Sequence, residues 1–220
     1  MKLTSKNIWV TSDTHYGHGN LVRGVTQWRN DKDEVPVDQV RNFNTVQEMN
    51  ELMVNNINDN VEPNDWLIHL GDWSFGGEER IKEFRDQINC KNIVLMLGNH
   101  DKHIIRDRHQ GPYRKLFAHV AFYEELKVTR SENDRGEKFI ICHYPIISWN
   151  AMHHGAYMLH GHQHLKGDAI FGQGRRMDVG LCGTESTIGF RPYHLEEIIT
   201  LLKNRAYETY TEHDHHQTRK

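Results

Sequence analysis

Through the first half of the chain, short apolar runs that stop abruptly at polar residues alternate with stretches of helical period. The run NIWVTSD (7–13) is apolar and β-branched and breaks at Ser12 and Asp13, which predicts a buried strand. In TVQEMNELMVNNIN (45–58), Val46, Met49, Met53, Val54 and Ile57 recur at helical spacing and predict a core-facing helix. DWLIHLGD (65–72) predicts a second strand, EERIKEFRDQI (78–88) an amphipathic helix, and NIVLMLGNHD (92–101) a third strand. A β-α-β-α-β order of this kind forms right-handed crossovers around a parallel sheet and brings the three strand ends to one edge. Beyond residue 120 the pattern changes to shorter strands, AFYEELKVTR, KFIICHYPI, AYMLHGHQH and RRMDVG, before a last helix around LEEIITLLKN. The expectation is a second, more mixed sheet. The polar stretch from Tyr16 to about Asn42 is expected to be an irregular, mobile insertion near the strand ends.

Composition narrows the class. A length of 220 residues suits one α/β domain spanning 1–220, with a polar tail from about 205. A formal charge of −3 lacks the basic excess of a bulk nucleic-acid binder, and a mean hydropathy of −0.76 marks a polar protein. There is no apolar run of bilayer length, and the start MKLTSKNIWVTSD lacks a signal-peptide core, so the expected location is the cytoplasm, without membrane partners. Cys90, Cys142 and Cys182 are odd in number and lack C-x-x-C spacing, which reads as core thiols rather than a disulfide framework or a zinc ribbon.

The 17 histidines change the picture, because many of them stand where apolar strands end. Asp13 and His15 end the first strand, Asp72 the second, and Asn99, His100 and Asp101 the third; His143 follows FIIC, and His160, His162 and His164 follow AYML. In an open α/β sheet the ligand crevice lies outside the carboxyl ends of the strands, so these groups should converge. Charged and imidazole groups gathered there cost desolvation unless something compensates them, and a cation is the simplest compensation. Imidazoles, carboxylates and an amide oxygen without thiolate suit a first-row ion such as Mn²⁺, Fe²⁺ or Zn²⁺. The candidates exceed one tetrahedral set. Two ions sharing a carboxylate would use them all and would clamp an in-line displacement at phosphorus.

Asp13-x-His15, Gly71-Asp72, Gly98-Asn99-His100-Asp101, His143 and Gly161-His162-x-His164, in that order, resemble the calcineurin-like metallophosphoesterases. The wider texture SDTHYGH, HYPIISWN, LHGHQH and MDVG…RPYHLEEI is similar to small bacterial and phage-borne members. The resemblance implies an α/β fold in which two mixed sheets form a sandwich flanked by helices, in four α/β/β/α layers. It implies two divalent metal ions, Mn²⁺ first, with Fe²⁺, Zn²⁺ and Ni²⁺ as alternatives. Asp13, His15 and His164 would hold one metal, Asn99, His143 and His162 the other, and Asp72 would bridge them. His100 would face the scissile group as a catalytic residue, with Asp101 orienting it. The implied reaction is hydrolysis of a phosphoester by a water activated between the two cations.

The remaining candidates weigh differently. His18 lies close enough to the first motif to face a substrate phosphate, and surface placement is the alternative. His160 reads as a packed histidine and His69 as one pointing into the sheet; Arg23 and Arg29 read as solvated loop residues. The run KHIIRDRHQGPYRK (102–115) reads as a plain surface segment, Trp73 and Trp149 as packing residues, and His213, His215 and His216 as part of a frayed tail. The protein Ser/Thr phosphatase branch of the resembled family reads G-D-x-x-D-R-G and G-N-H-E, where this chain has GDWSFGG and GNHD. The expected substrate is therefore a small phosphodiester such as a nucleotide. A nucleic acid or a small phosphomonoester is the alternative substrate, and a non-catalytic binding module the reading least favoured by the intact motif set.

Overall fold

The computed structural model describes residues 1–106, 111–182 and 189–206. The tail histidines His213, His215 and His216 and positions 107–110 of the basic run lie outside these residues. Strands β1 (Lys2–Thr4), β2 (Ile8–Thr11), β3 (Trp66–His69), β4 (Asn92–Met96), β5 (His119–Ala121), β6 (Tyr123–Thr129), β7 (Glu137–Cys142), β8 (Tyr157–His160), β9 (Arg176–Asp178) and β10 (Tyr193–His194) form two five-stranded sheets. Among the described residues, the chain forms the α-helices α1 (Val46–Asn60), α2 (Glu78–Gln87), α3 (Lys102–Arg106) and α4 (Leu195–Leu202).

The first sheet has the order β10-β2-β3-β4-β5, with β2, β3, β4 and β5 parallel and β10 antiparallel at the edge. The second, β1-β6-β7-β8-β9, is mixed, its β6–β7 pair being antiparallel. Two mixed sheets with helices on an α/β chain match the expected class. Two details depart from the sequence reading. β1, with one buried residue in three, joins the second sheet beside β6. The run AFYEELKVTR is divided, so that Ala121 ends a strand of one sheet and Tyr123 opens a strand of the other. A three-residue strand carries too little periodicity to announce itself, and a switch between sheets leaves no mark in an apolar pattern.

Both faces of the first sheet are buried, which is why its strands read as continuous apolar runs rather than alternating ones. Ile8, Val10, Ile68, Val94 and Met96 pack between the sheets against Leu126, Phe139, Ile141 and Leu159. Leu67, Ile93 and Leu95 turn the other way, onto Met49, Met53 and Ile57 of α1 and Ile81 and Phe84 of α2. On the far face of the second sheet, Ile140, Cys142 and Met158 are covered by Trp149 and Met152. Trp73 is fully buried, so both tryptophans weighed in the sequence are packing residues, and the three cysteines are buried free thiols.

α1 begins where Thr45 Oγ1 accepts the Glu48 N–H at 3.1 Å, with the Glu48 carboxylate returning to the Asn44 N–H at 2.9 Å. This satisfies donors that a helix start leaves open. α2 carries Glu78 and Glu79 in its first turn and Arg85 in its last, in keeping with the helix dipole. The segment between β2 and α1 is irregular, as expected, but it is pinned by buried Leu21, Val22, Val40 and Arg41 and by a Val22–Arg41 bridge. No helix among the described residues is long and apolar enough to cross a membrane.

Adjacent residues of α1 test this packing. Met53 is fully buried against the sheet, whereas Leu52 is exposed. Met53→Ala is expected to cost about 2–5 kcal/mol of stability, and Leu52→Ala to change it by no more than about 0.5 kcal/mol, in urea unfolding monitored by circular dichroism.

Candidate metal centre

β2, β3 and β4 of the first sheet and β7 and β8 of the second all deliver their carboxyl ends to one edge. There the chain leaves the extended conformation in an unusual way. Asp13 (φ 54°), His15 (φ 46°), Asp72 (φ 57°), His162 (φ 72°) and His164 (φ 51°) all adopt left-handed backbone, which ordinary L-residues rarely do. Each such residue costs on the order of 1 kcal/mol. The turns also leave no room beside the carboxylates. A Cβ on Gly161 would stand 2.1 Å from Asp13 Oδ2, and one on Gly98 2.2 Å from Asp72 Oδ1. That is the physical reason for glycine in the G-N-H-D and G-H-x-H motifs.

The turns are tied to one another by backbone bonds. The Asp13 N–H donates to the Gly71 carbonyl and the His15 N–H to the Asp72 carbonyl, each at 3.0 Å, and the Gly161 N–H donates to the His143 carbonyl at 3.0 Å. The His162 N–H reaches the Asp13 carboxylate at 3.0–3.2 Å. The second sheet is thereby locked to the first at the site.

Within this frame the ligand atoms of Asp13, His15 and His164 lie within 4.8 Å of one another, and so do those of Asp13, Asp72 and His143. Asp72 Oδ2 stands between the two halves, 3.5 Å from His15 Nε2 and 3.4 Å from His143 Nε2. Asn99 Oδ1 is 3.1 Å from His143 Nε2. His162 lies at the exposed rim with its ring centroid 5.1 Å from that of His143.

The donor chemistry decides what fits this space. His143 Nδ1 is 2.9 Å from the Leu70 carbonyl, a contact that requires a proton on Nδ1. The Nε2 of this ring faces an amide oxygen and a carboxylate oxygen; burial lowers the pKa of the ring, but the hydrogen bond of Asp72 and the charges of Asp13 and Asp72 raise it above the usual range. His15 and His164 likewise bring their Nε2 atoms to 3.0 Å from each other beside Asp13 and Asp72. Carboxylates and imidazoles gathered in a buried place need positive charge among them, which protons on His143 and His164 supply in the free protein and a bound cation would replace. Burial holds the His15 imidazole well below its usual range, which keeps its ring neutral and able to ligate. Burial opposes ionisation of Asp13, but the hydrogen bond and charge of His164, followed by the charges of His15 and His143, hold its carboxyl below the usual range. For His164, burial lowers the pKa, and the hydrogen bonds and charges of Asp13 and Cys182 more than restore it, to about 10, so this ring carries a proton in the free protein. The residues present therefore fit a cation-binding centre, with two overlapping groups that share Asp13 and flank Asp72.

His100 extends from the same edge. Its backbone N–H donates to Asp72 Oδ1 at 2.8 Å, and its half-buried ring lies 5.2 Å from the His15 ring and 5.3 Å from Phe75. It also lines a cleft of about 210 Å³ with Ser74, Phe75 and Lys102. Asp101 faces elsewhere. Its Oδ2 accepts the N–H groups of Asp72 (2.9 Å) and Gly98 (2.8 Å), and its Oδ1 that of Trp73 (2.9 Å). Both oxygens are thus turned toward the backbone of two strand-end turns rather than toward the His100 ring. The geometry replaces the expected orienter of His100 with a clamp on the turns that carry Asp72 and Asn99. Burial is the main influence on this carboxyl and pushes it up to about 7, against the pull of the N–H groups.

His18 is buried next to the site. Its Nδ1 accepts the Leu21 N–H at 3.2 Å, which places the proton of the neutral ring on Nε2. Its ring packs at 3.8 Å on Phe75 and 5.5 Å from His15. His69 is wholly buried between Thr14 Oγ1 (2.8 Å) and the Gly71 N–H (3.2 Å), and His160 is buried against the Gly161 carbonyl, so both are internal, as expected. Arg23 and Arg29 bond to their own loop.

Two supporting residues escape a sequence reading. Arg41 is fully buried beneath the first turn, where its guanidinium donates to the carbonyls of Asp13 and, at 2.8 Å, Thr14. Cys182 Sγ lies 3.7 Å from His164 Nδ1. Arg41 sits in a polar loop without periodicity, so nothing in its surroundings distinguishes it from a surface arginine.

Comparison with known proteins agrees with this frame. Residues 6–167 match the calcineurin-like phosphoesterase family, and the chain belongs to it. The family carries out metal-dependent phosphoester hydrolysis at a dinuclear centre. An uncharacterized protein of Methanocaldococcus jannaschii is 25% identical over 205 residues, covering 91% of this chain and 94% of its own. The Gene 66 protein of Mycobacterium phage L5 is 25% identical over 177 residues, covering 72% and 77% respectively. The crystal structure of a protein of unknown function from Aquifex aeolicus shares the fold, with a TM-score of 0.56 at 17% identity over 89% of this chain and 99% of that one.

The clamp role of Asp101 has a direct test. Asp101→Ala leaves three buried N–H groups without acceptors, and at roughly 1–3 kcal/mol each it is expected to lower stability by several kcal/mol and to weaken cation binding. Unfolding in chelator, together with metal analysis after reconstitution, measures both. A stable, metal-replete variant lacking only turnover would reinstate the orienting role.

Proposed function

We propose that this chain is a two-metal phosphodiesterase acting in the cytoplasm on small phosphodiesters such as nucleotides. The observation that carries the reading is the convergence of imidazole nitrogens, carboxylate oxygens and an amide oxygen around Asp72. In this assignment Asp13, His15 and His164 would hold the first ion, Asn99, His143 and His162 the second, and Asp72 would serve both. Mn²⁺ is the favoured ion, since the donor set contains no thiolate and is rich in oxygen and imidazole. Two divalent cations bound there supply charge neutralisation at the phosphoryl oxygens and a water acidic enough to attack.

The protein's own groups complete the chemistry. The His100 ring stands beside the first-ion half, reaches the open cleft, and is the group placed to protonate the departing ester oxygen. Its backbone bond to Asp72 Oδ1 fixes it relative to the centre. His18, with its proton directed to Nε2, can donate to a non-bridging oxygen from the same flank. Asp101 and Arg41 act beneath, by fixing the turns.

The preference for diesters rests on the residues immediately after Asp72. In place of arginines, the chain continues into buried Trp73, then Ser74, Phe75 and the Gly76-Gly77 turn. Arg41 is engaged by backbone carbonyls. A monoanionic diester needs less cationic support than a dianionic monoester. Nuclease activity is the second reading, favoured by the aromatic side chains at the rim.

Two experiments test this proposal. Metal-stripped protein reconstituted with Mn²⁺ is expected to turn over bis(p-nitrophenyl) phosphate faster than p-nitrophenyl phosphate under identical conditions; a preference for phosphoserine peptides would overturn the diester reading. His100→Ala is expected to keep its metal while losing about 10²–10⁴-fold in kcat, whereas Asp72→Ala loses metal as well. A metal-poor His100→Ala protein would contradict this division of roles.

A further inference from the structure

Exposed aromatic side chains stand on both flanks of the candidate centre. On the His15 side, Phe75 is 39% exposed and packs on His18 (3.8 Å) and His100 (5.3 Å), with Trp28, 38% exposed, 6.2 Å from His18. On the other side, Tyr144 is 46% exposed, with its ring 4.9 Å from His143 and 4.8 Å from His162. Each of these rings packs by one side on a histidine of the centre and leaves the rest of its surface open to solvent, so the two flanks present aromatic surface directly beside the most polar place in the molecule. Their faces suit planar partners, because stacking on an aromatic ring is available to every base. On the Phe75 side, Ser74 and Lys102 line the same cleft and offer polar groups to a ring edge.

We infer that the substrate is a diester joining two nucleosides, with the departing nucleoside stacked on Phe75 and the retained one on Tyr144. This rests on the phosphodiesterase reading and specifies its two substituents. The assignment of sides comes from His100. The ester oxygen that leaves must be the one His100 can protonate, and His100 adjoins Phe75. In the reaction, water oxygen bonds to phosphorus and gives up a proton to solvent, the bond from phosphorus to the departing nucleoside oxygen breaks, and that oxygen takes a proton from His100, which solvent then restores. The products are a nucleoside and a nucleoside monophosphate. A short substrate is favoured over a polymer because the chain carries a net charge of −3, whereas tight polymer binding depends on neutralising many phosphates.

The test uses two substrates with the same leaving group, thymidine 5′-(p-nitrophenyl) phosphate and methyl p-nitrophenyl phosphate, on the Mn²⁺-reconstituted full chain. The wild type is expected to prefer the thymidine ester by about tenfold in kcat/KM, within the range that one stacked base supplies. Tyr144→Leu should bring this ratio close to one, and Phe75→Leu should lower both substrates together and preserve it. Titration calorimetry with thymidine 5′-monophosphate gives a readout independent of turnover, with affinity expected to fall at least fivefold in Tyr144→Leu. A wild-type ratio near one, or a ratio lost in Phe75→Leu and kept in Tyr144→Leu, would overturn the inference while leaving the phosphodiesterase reading intact. Absence of metal-dependent turnover of both esters would remove the phosphodiesterase reading and this inference together.

Discussion

The site is organised by a constraint that elementary electrostatics imposes: carboxylates and imidazoles gathered in a buried space need positive charge among them, from protons on the rings or from a bound cation. At the shared sheet edge, His143 Nε2 meets Asn99 Oδ1 and Asp72 Oδ2, and the Nε2 atoms of His15 and His164 meet beside Asp13. Everything nearby serves to hold these groups in place. The carbonyl of Leu70 selects the His143 tautomer, Asp101 gathers three N–H groups from the turns, and Arg41 ties down the carbonyls that come after β2. The fold contributes by presenting five strand ends, three from one sheet and two from the other, at a single edge.

This division of labour explains what could be read from the sequence. The strands of the first sheet are buried on both faces, so their runs are unbroken and their ends are sharp; Asp13, Asp72 and Asn99 stand out because each comes just after such a run. α1 and α2 announce themselves by period, and their partners in the core are the ones the period implies. Small motifs were informative because glycine, carboxylate and imidazole are each required there for a separate physical reason.

What was not legible depends on three-dimensional accounting. The pairing of Lys2–Thr4 with β6 and the change of sheet at Phe122 concern which strand lies beside which, and apolar pattern is silent on that. Asp101 looks like a partner for the adjacent imidazole because carboxylate–histidine pairs are common, but only backbone coordinates reveal three N–H groups in need of an acceptor. Arg41, with no period around it, gives no sign that it is a fully buried cation beneath the site. The exposure of Phe75 and Tyr144 is likewise a property of the surface, where sequence patterns carry least information.

The left-handed residues carry a consequence for the life of the protein in the cell. Five positions at the centre hold a left-handed backbone, and the hydrogen bonds that tie their turns together, joined by a cation bound there on the proposed reading, would offset the strain. A cation that binds the folded chain and not the unfolded one deepens the folded well by mass action, in proportion to the logarithm of its free concentration. On the proposed reading, metal-free protein would be the less stable form and its strained edge the first part to open, within reach of proteases that survey open chains.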